Sequence, residues 1–283
     1  MVNPDPIAPR YVFLAKETPL SHWNPGLADG GVPNCDVACV LDVAVLSRTG
    51  PLLERIRAAK MKTLVVDHHQ PGDGESWDCE LIDSAAPASG ALVYRLAKKM
   101  GIVLPKPALE AVFVSITTDT GWFKYSNTDR ETFEIASELT AAGVEPSRVY
   151  NRLFQTNPAD YPIGIGVAMR SLQYAAGGKL AIATLRARDL EAAGAQLSGD
   201  RRRPRSVAFG RQGRGGAPVP EVQSGRAKCS ARSKGSLDVN ELMRRFGGGG
   251  HKKAAGADLP GPFEDSVARV AAAAAEALEK PQR

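Results

Sequence analysis

The stretch VVDHHQPGD, residues 65–73, decides how this chain reads. Two valines close an apolar run, an aspartate and two adjacent histidines follow, and a Pro-Gly turn comes next. Only four histidines occur in the chain, so half of them stand here. Two imidazoles behind a buried strand need polar partners. Upstream, DVACVL at 36–41 runs into Asp42 in the same way that LVV at 64–66 runs into Asp67. Between them Leu52, Leu53, Ile56 and Ala59 fall at near-helical spacing. Strand, helix, strand, with an acid closing each strand, predicts a parallel α/β sheet. Such sheets bind ligands beyond the carboxyl ends of their strands.

Composition sets wide bounds. A chain of 283 residues suffices for one large or two ordinary domains. Apolar residues make up 43% and charged ones 24%, the balance of a soluble globular protein. The formal charge of +5 (36 Lys and Arg against 31 Asp and Glu) favours a polyanionic partner only weakly. Cys35, Cys39, Cys79 and Cys229 show no paired metal spacing. Cys35 and Cys39 read as small core residues in a reducing compartment. No apolar run reaches the roughly 18 residues of a membrane span, and MVNPDPIAPR has no signal-peptide core. The expectation is a cytoplasmic protein without membrane contact.

Further along, residues 89–100 read as a helix with a polar start and a basic end, stopped at Gly101. Leu109, Val112, Phe113 and Ile116 share one helical face leading to TTDTG at 117–121. Residues 129–155 read as helical with a break at Gly143 and Pro146, and KLAIATLR at 179–186 as a strand opening a second domain. Residues 199–226 are rich in Arg, Gly and Pro, which predicts a mobile loop or linker. Its arginines, Arg201, Arg202, Arg203 and Arg205, read as a solvated run, with a nucleic-acid patch as the alternative. AKCSARSKG then reads as strand and turn, DVNELMRRF as a helix, and 263–279 as a closing amphipathic helix.

Two constellations carry chemistry. Asp42, Asp67, His68, His69 and Asp119 each lie at or just after the end of an apolar run, where the fold can bring them to one rim. Hard divalent ions accept carboxylates and imidazoles. Two such ions about 3.5–4 Å apart serve phosphoester hydrolysis. The second constellation is FGGGGHKKAAG at 246–256 with SARSK at 230–234. Glycines let backbone N–H groups converge on an anion, and Ser230, Arg232, Ser233 and His251 add donors suited to phosphate. A plain glycine hinge beside a basic turn is the alternative. Phe123 and Tyr125 could stack a base or fill the core.

Together these motifs resemble those of the DHH phosphoesterase family. The nearest branch is that of short-RNA exonucleases with 3′-phosphoadenosine phosphatase activity, the oligoribonuclease or nanoRNase type. Asp67-His68-His69 matches the naming motif, Asp42 the preceding strand-end acid, and Asp119 the later acid; GGGGHKKAAG and SARSKG match the DHHA1 domain. The resemblance implies an α/β fold with a parallel-sheet DHH domain, a smaller α/β DHHA1 domain and a cleft between them. It implies Asp42, His68 and Asp119 as metal ligands, with Asp67, His68 and His69 as the catalytic group. Ser230, Arg232, Ser233, Gly248, Gly249, Gly250 and His251 would grip the nucleotide. Two Mn²⁺ (or Mg²⁺) ions would activate water to hydrolyse short oligoribonucleotides 3′ to 5′, or 3′-phosphoadenosine 5′-phosphate, or both. Short RNA or a nucleotide is the expected partner, and a homodimer the expected assembly if one forms.

In one place the chain departs from the family pattern: it carries no Asp-x-Asp segment with a nearby His. The expectation is therefore an N-terminally truncated DHH domain over 1–155, a linker at 156–175 and a DHHA1 domain over 176–283. A catalytically impaired nucleotide or nucleic-acid binder is the alternative function.

Overall fold

A computed structural model describes residues 1–27, 29–43, 45, 49–69, 76–157, 159–195, 215–222, 226–235 and 237–279. The side chains of 215–222 and 226 are outside that description. The chain divides into two compact units, Met1–Thr156 and Asn157–Arg283.

The first unit is built on a parallel sheet in the order β3 (Val37–Leu41), β4 (Lys62–Asp67), β5 (Cys79–Ile82). β4 lies in the middle because its apolar run can be covered on both faces; Val65 and Val66 are buried. Helix α1 (Leu52–Ala58) makes the crossover from β3 to β4 and buries Ile56. Helices α2 (Ser89–Lys99), α3 (Lys106–Asp119), α4 (Arg130–Ala141) and α5 (Pro146–Phe154) follow. Their apolar faces meet around Phe113, Ile116, Leu139 and Val149. Asp129 starts α4 by accepting the Thr132 N–H at 2.8 Å, which ends the turn after α3 cleanly. Near the N-terminus, β1 (Val2–Asn3) pairs parallel with β2 (Ser21–His22), and a 3₁₀ helix at Pro9–Lys16 packs Tyr11, Phe13 and Leu14 on the helical core.

Among the described residues β3 pairs only with β4, and its outward face stays uncovered: Val37 is 52% and Leu41 41% exposed. Cys39 lies on the same face and is exposed, as is Cys35 in the loop before it. This corrects the reading of both as core residues. An apolar run signals burial only when a second layer covers it, and no described element covers this one.

The second unit holds a six-stranded sheet in the order β10 (Gly249–His251), β11 (Ala254–Leu259), β9 (Arg226–Ser233), β8 (Gly215–Val222), β7 (Leu180–Leu185), β6 (Gln173–Ala175). β7 and β8 run parallel; the other neighbours are antiparallel. Helices α8 (Val239–Arg244) and α9 (Phe263–Glu279) cover one face, where Leu242, Met243, Val270 and Ala274 meet Cys229, Ala231, Ala255 and Ala257. A short helix α7 (Ala187–Ala192) buries Leu190 beside Ala183 and Leu185.

Two segments differ from expectation. Residues 156–175 carry helix α6 (Tyr161–Arg170) and β6 where a linker was expected. Val167 and Ala168 pack against Ala183 and Leu185, and Ser171 Oγ bonds both the N–H and the carbonyl of Thr184. Within 199–226, read as a loop, Gly215–Val222 forms β8, pairing with β7 along its first six residues and with β9 at both ends. Flanking strands on both sides hold a segment whose own Gly and Pro residues would not form a strand. Arg201, Arg202, Arg203 and Arg205, and the Pro-Gly step at 71–72, lie outside the described residues.

Candidate metal centre

The carboxyl ends of β3 and β4 place the first two acids. Asp42 follows β3 directly, and its N–H continues the ladder to the Val66 carbonyl at 3.0 Å. It then turns with φ +64, a left-handed step that Asp tolerates better than most side chains. Asp67 closes β4 and is completely buried. Its Oδ1 accepts the backbone N–H of His68 at 2.6 Å, that of His69 at 3.0 Å, and the His69 ring Nδ1–H at 2.7 Å. These bonds bend the chain back over the strand end and bring the two imidazoles together, edge to face at 4.7 Å.

Hydrogen bonding fixes the protons on both rings. His68 Nδ1 lies 3.2 Å from the Ala86 carbonyl, which can only accept, so Nδ1 carries the proton and Nε2 keeps its lone pair. That Nε2 stands 3.6 Å from Asp42 Oδ1 and 3.8 Å from Asp119 Oδ2. His69 Nδ1 is 3.8 Å from the same Asp42 oxygen. The second Asp67 oxygen, Oδ2, is buried and has no hydrogen-bond partner among the described residues. An orphaned carboxylate oxygen costs about 1–3 kcal/mol or more unless something compensates it. Asp42, Asp67, His68 and His69 each offer a ligand atom within 4.8 Å of the others, which suits a hard divalent cation.

Asp119 arrives from another direction, as the last residue of α3. A close helix contact sets its place. The Gly90 N–H of α2 donates to Ser115 Oγ at 3.1 Å, and a Cβ at Gly90 would come within 2.6 Å of the Ser115 Cβ. Ser115 precedes Asp119 by one helical turn, so this contact registers Asp119 against the start of α2. Past Asp119 the chain takes three successive left-handed steps at Gly121, Trp122 and Phe123. Asn127 Nδ2 ties the turn down, donating to the Asp119 and Pro87 carbonyls at 3.2 and 3.0 Å. Phe123 joins the core and stacks on Phe133, while Tyr125 lays its ring over Gly121 and is 40% exposed.

The acids differ in charge state. Burial, with Asp42 and Asp67 nearby, pushes Asp119 up to about 7, although His69 pulls the other way. Burial opposes ionisation of Asp67 too, but the bonds from His69 and His68 outweigh it and hold that carboxyl below its ordinary value. Acids crowded in this way lack positive charge, which is the environment a cation relieves.

Sequence reasoning missed Ser89. It is 5% exposed, and its hydroxyl lies 2.7 Å from Asp42 Oδ1 and 3.4 Å from Asp67 Oδ1. The polar start of the α2 segment was its only sequence signal.

In the second unit, register decides which residues share a face. Ser230 pairs with Gly256 and Arg232 with Ala254 across β9 and β11; Gly249 pairs with Gly256 and His251 with Ala254 across β10 and β11. Ser230, Arg232 and His251 therefore line one face of the sheet, the one opposite α8 and α9. Arg232 donates to the Ala231 carbonyl, and its Nε is buried without a hydrogen-bond partner among the described residues. Ser233 stands on the other face, 9% exposed, so it does not join Ser230 and Arg232. Alternation along β9 puts it there.

The glycines have structural duties. A Cβ on Gly248 would come within 2.1 Å of the Gly256 carbonyl oxygen, and one on Gly250 within 2.5 Å of that of Ala254. The Gly248 N–H donates to the Met243 carbonyl and the Gly250 N–H to Asn240 Oδ1, each at 2.9 Å. Two of the N–H groups expected to cradle an anion are thus already bonded.

The DHHA1 domain family model matches residues 177–280. The bifunctional oligoribonuclease and PAP phosphatase NrnA of Thermus thermophilus is 30% identical over 221 residues, 76% of this chain and 64% of that protein. Its Bacillus subtilis namesake is 26% identical over 205 residues, 70% of this chain and 63% of that one. The chain thus spans just under two thirds of the length of these curated relatives. Among solved structures, an exopolyphosphatase-related protein from Bacteroides fragilis shares the fold, with a TM-score of 0.83 over 97% of this chain and 82% of that one at 23% identity.

Proposed function

We propose that this chain, whose residues 177–280 match the DHHA1 domain model and which is 30% identical to an oligoribonuclease and PAP phosphatase over 221 residues, is a metal-dependent phosphoesterase. Its substrates are short oligoribonucleotides, cut 3′ to 5′, and 3′-phosphoadenosine 5′-phosphate. One observation carries the reading: Asp42, Asp67, His68, His69 and Asp119, from the ends of three elements, converge on one site that leaves a buried carboxylate oxygen uncompensated. Asp42, His68 and Asp119 would hold Mn²⁺ or Mg²⁺. When bound, such an ion supplies charge stabilisation for phosphoryl oxygens and a water deprotonated near neutral pH.

The residues do the rest. Asp67 orients His69 through its ring and both histidines through their backbone. The Ala86 carbonyl fixes the His68 tautomer. His69, half-buried at the rim, is placed to steady the scissile phosphate. Asp119, poised near neutrality, can give up or hold a proton as substrate and cation arrive. Ser230, Arg232 and His251 share the sheet face suited to nucleotide phosphates, the guanidinium gripping by its fork. The Gly248, Gly249 and Gly250 run shapes that edge more than it donates to it.

The test is incubation of the chain with a short RNA and with 3′-phosphoadenosine 5′-phosphate, with Mn²⁺ and with chelator. Mononucleotide or phosphate release that needs Mn²⁺ and disappears in His68→Ala is expected. No release from either substrate with Mn²⁺ present overturns the proposal.

A specific observation favours a second reading. Three carboxylates and two imidazoles can satisfy one hard ion completed by water, but two ions want more bridging carboxylates, and the sequence has no Asp-x-Asp. On that reading the chain binds nucleotide without cutting it. Nucleotide affinity that survives EDTA and fails in Arg232→Ala would mark it.

A further inference from the structure

Ser89 is the group tied most directly to the acids of the site. It is the first residue of α2, past the N-cap position held by Ala88, and its hydroxyl turns to the acids instead of capping the helix. A hydroxyl has one hydrogen to donate. Asp67 Oδ1, at 3.4 Å, already takes three N–H donors. Asp42 Oδ1, at 2.7 Å, is the acceptor. Asp42 also needs such a partner. Its side chain is 54% exposed and its backbone sits in a single left-handed step beyond the strand. Without an anchor the carboxylate would sample several rotamers. Ser89 is itself held firmly, because it is buried and the neighbouring Gly90 is locked to Ser115 of α3.

We propose that Ser89 is a positioning residue: its hydroxyl holds the Asp42 carboxylate towards His68 and so sets the affinity of the site for a divalent cation. This rests on the reading of the site as a metal centre. Groups that orient ligands in this way change metal affinity by about 10–100-fold when removed.

The experiment titrates Mn²⁺ alone into the full chain by calorimetry and compares wild type with Ser89→Ala and Ser89→Thr, following the unfolding temperature of each. The expected result is about a tenfold weaker Mn²⁺ constant for Ser89→Ala, with Ser89→Thr within about threefold of wild type because it keeps the hydroxyl. Should Ser89→Ala fail to fold, Ser89→Gly removes the same hydroxyl with less bulk and is read in its place. Wild-type affinity in the hydroxyl-free variant, or a Thr variant as weak as it, overturns the role of Ser89 while leaving the metal centre standing. Absence of Mn²⁺ binding in the wild type removes the metal centre, and this inference with it.

Discussion

Below about pH 7 the Asp119 carboxyl keeps its proton, because it is partly buried and faces Asp42 and Asp67. The sign of its effect follows. Between the ordinary value of 3.8 and about 7, the folded chain holds a proton that the unfolded chain has released. Stability of the metal-free protein from this group therefore falls as pH rises through that window. A bound cation demands the ionised form, so Mn²⁺ affinity should climb about tenfold per pH unit below about 7 and level above it. Calorimetry across that range checks it, and Asp119→Asn should weaken binding and flatten the slope. Asp67 behaves in the opposite way, staying ionised through neutrality. Asp67→Asn places an amide NH₂ where three N–H donors converge or where no acceptor waits, and should cost about 1–3 kcal/mol in urea unfolding.

At the level of elements, close approaches make the sharpest forecasts. Gly90→Ala would drive a methyl group into the Ser115 side chain and separate α2 from α3. Overpacking of this kind costs about 1–3 kcal/mol. Because the same contact registers Asp119, Mn²⁺ affinity should drop with stability, and Gly90→Ala with Ser115→Gly should recover part of both. Gly248→Ala, whose Cβ would meet the Gly256 carbonyl, should destabilise the second unit and leave Mn²⁺ affinity unchanged.

Much at this scale was legible in the sequence. β4 announces itself because its inner residues Leu64, Val65 and Val66 form an unbroken apolar run, and Asp42 and Asp67 stand out because they end such runs. The helices at 89–99 and 263–279 carry their own periodicity and stops. What stayed hidden depends on partners distant in the chain. YPIGIGVAMR, with two glycines and a proline, has little helical preference of its own, yet α6 forms where Val167 and Ala168 find β7. β8 exists because two neighbours pair with it. Ser89 is one serine among many until the fold sets it 2.7 Å from an acid 47 positions earlier. Ser233 looked equivalent to Ser230 because a motif does not show which side of a strand its residues occupy.

For the whole molecule, no helix among the described residues is long and apolar enough to cross a membrane. The outer flank of β3 bears on how the chain should behave in solution. A strand bonded on one side among the described residues, carrying uncovered Val37 and Leu41 and neither proline nor lysine, lacks the usual guards against meeting another strand. Light scattering should register apparent mass growing with protein concentration, and Val37→Lys should hold it near the single-chain value of 30.0 kDa. A wild-type mass independent of concentration would show that the flank is inert. If association does occur, preparations made crowded and preparations made dilute will present the rim beside Asp42 to a cation differently, and one gene product will yield two apparent affinities.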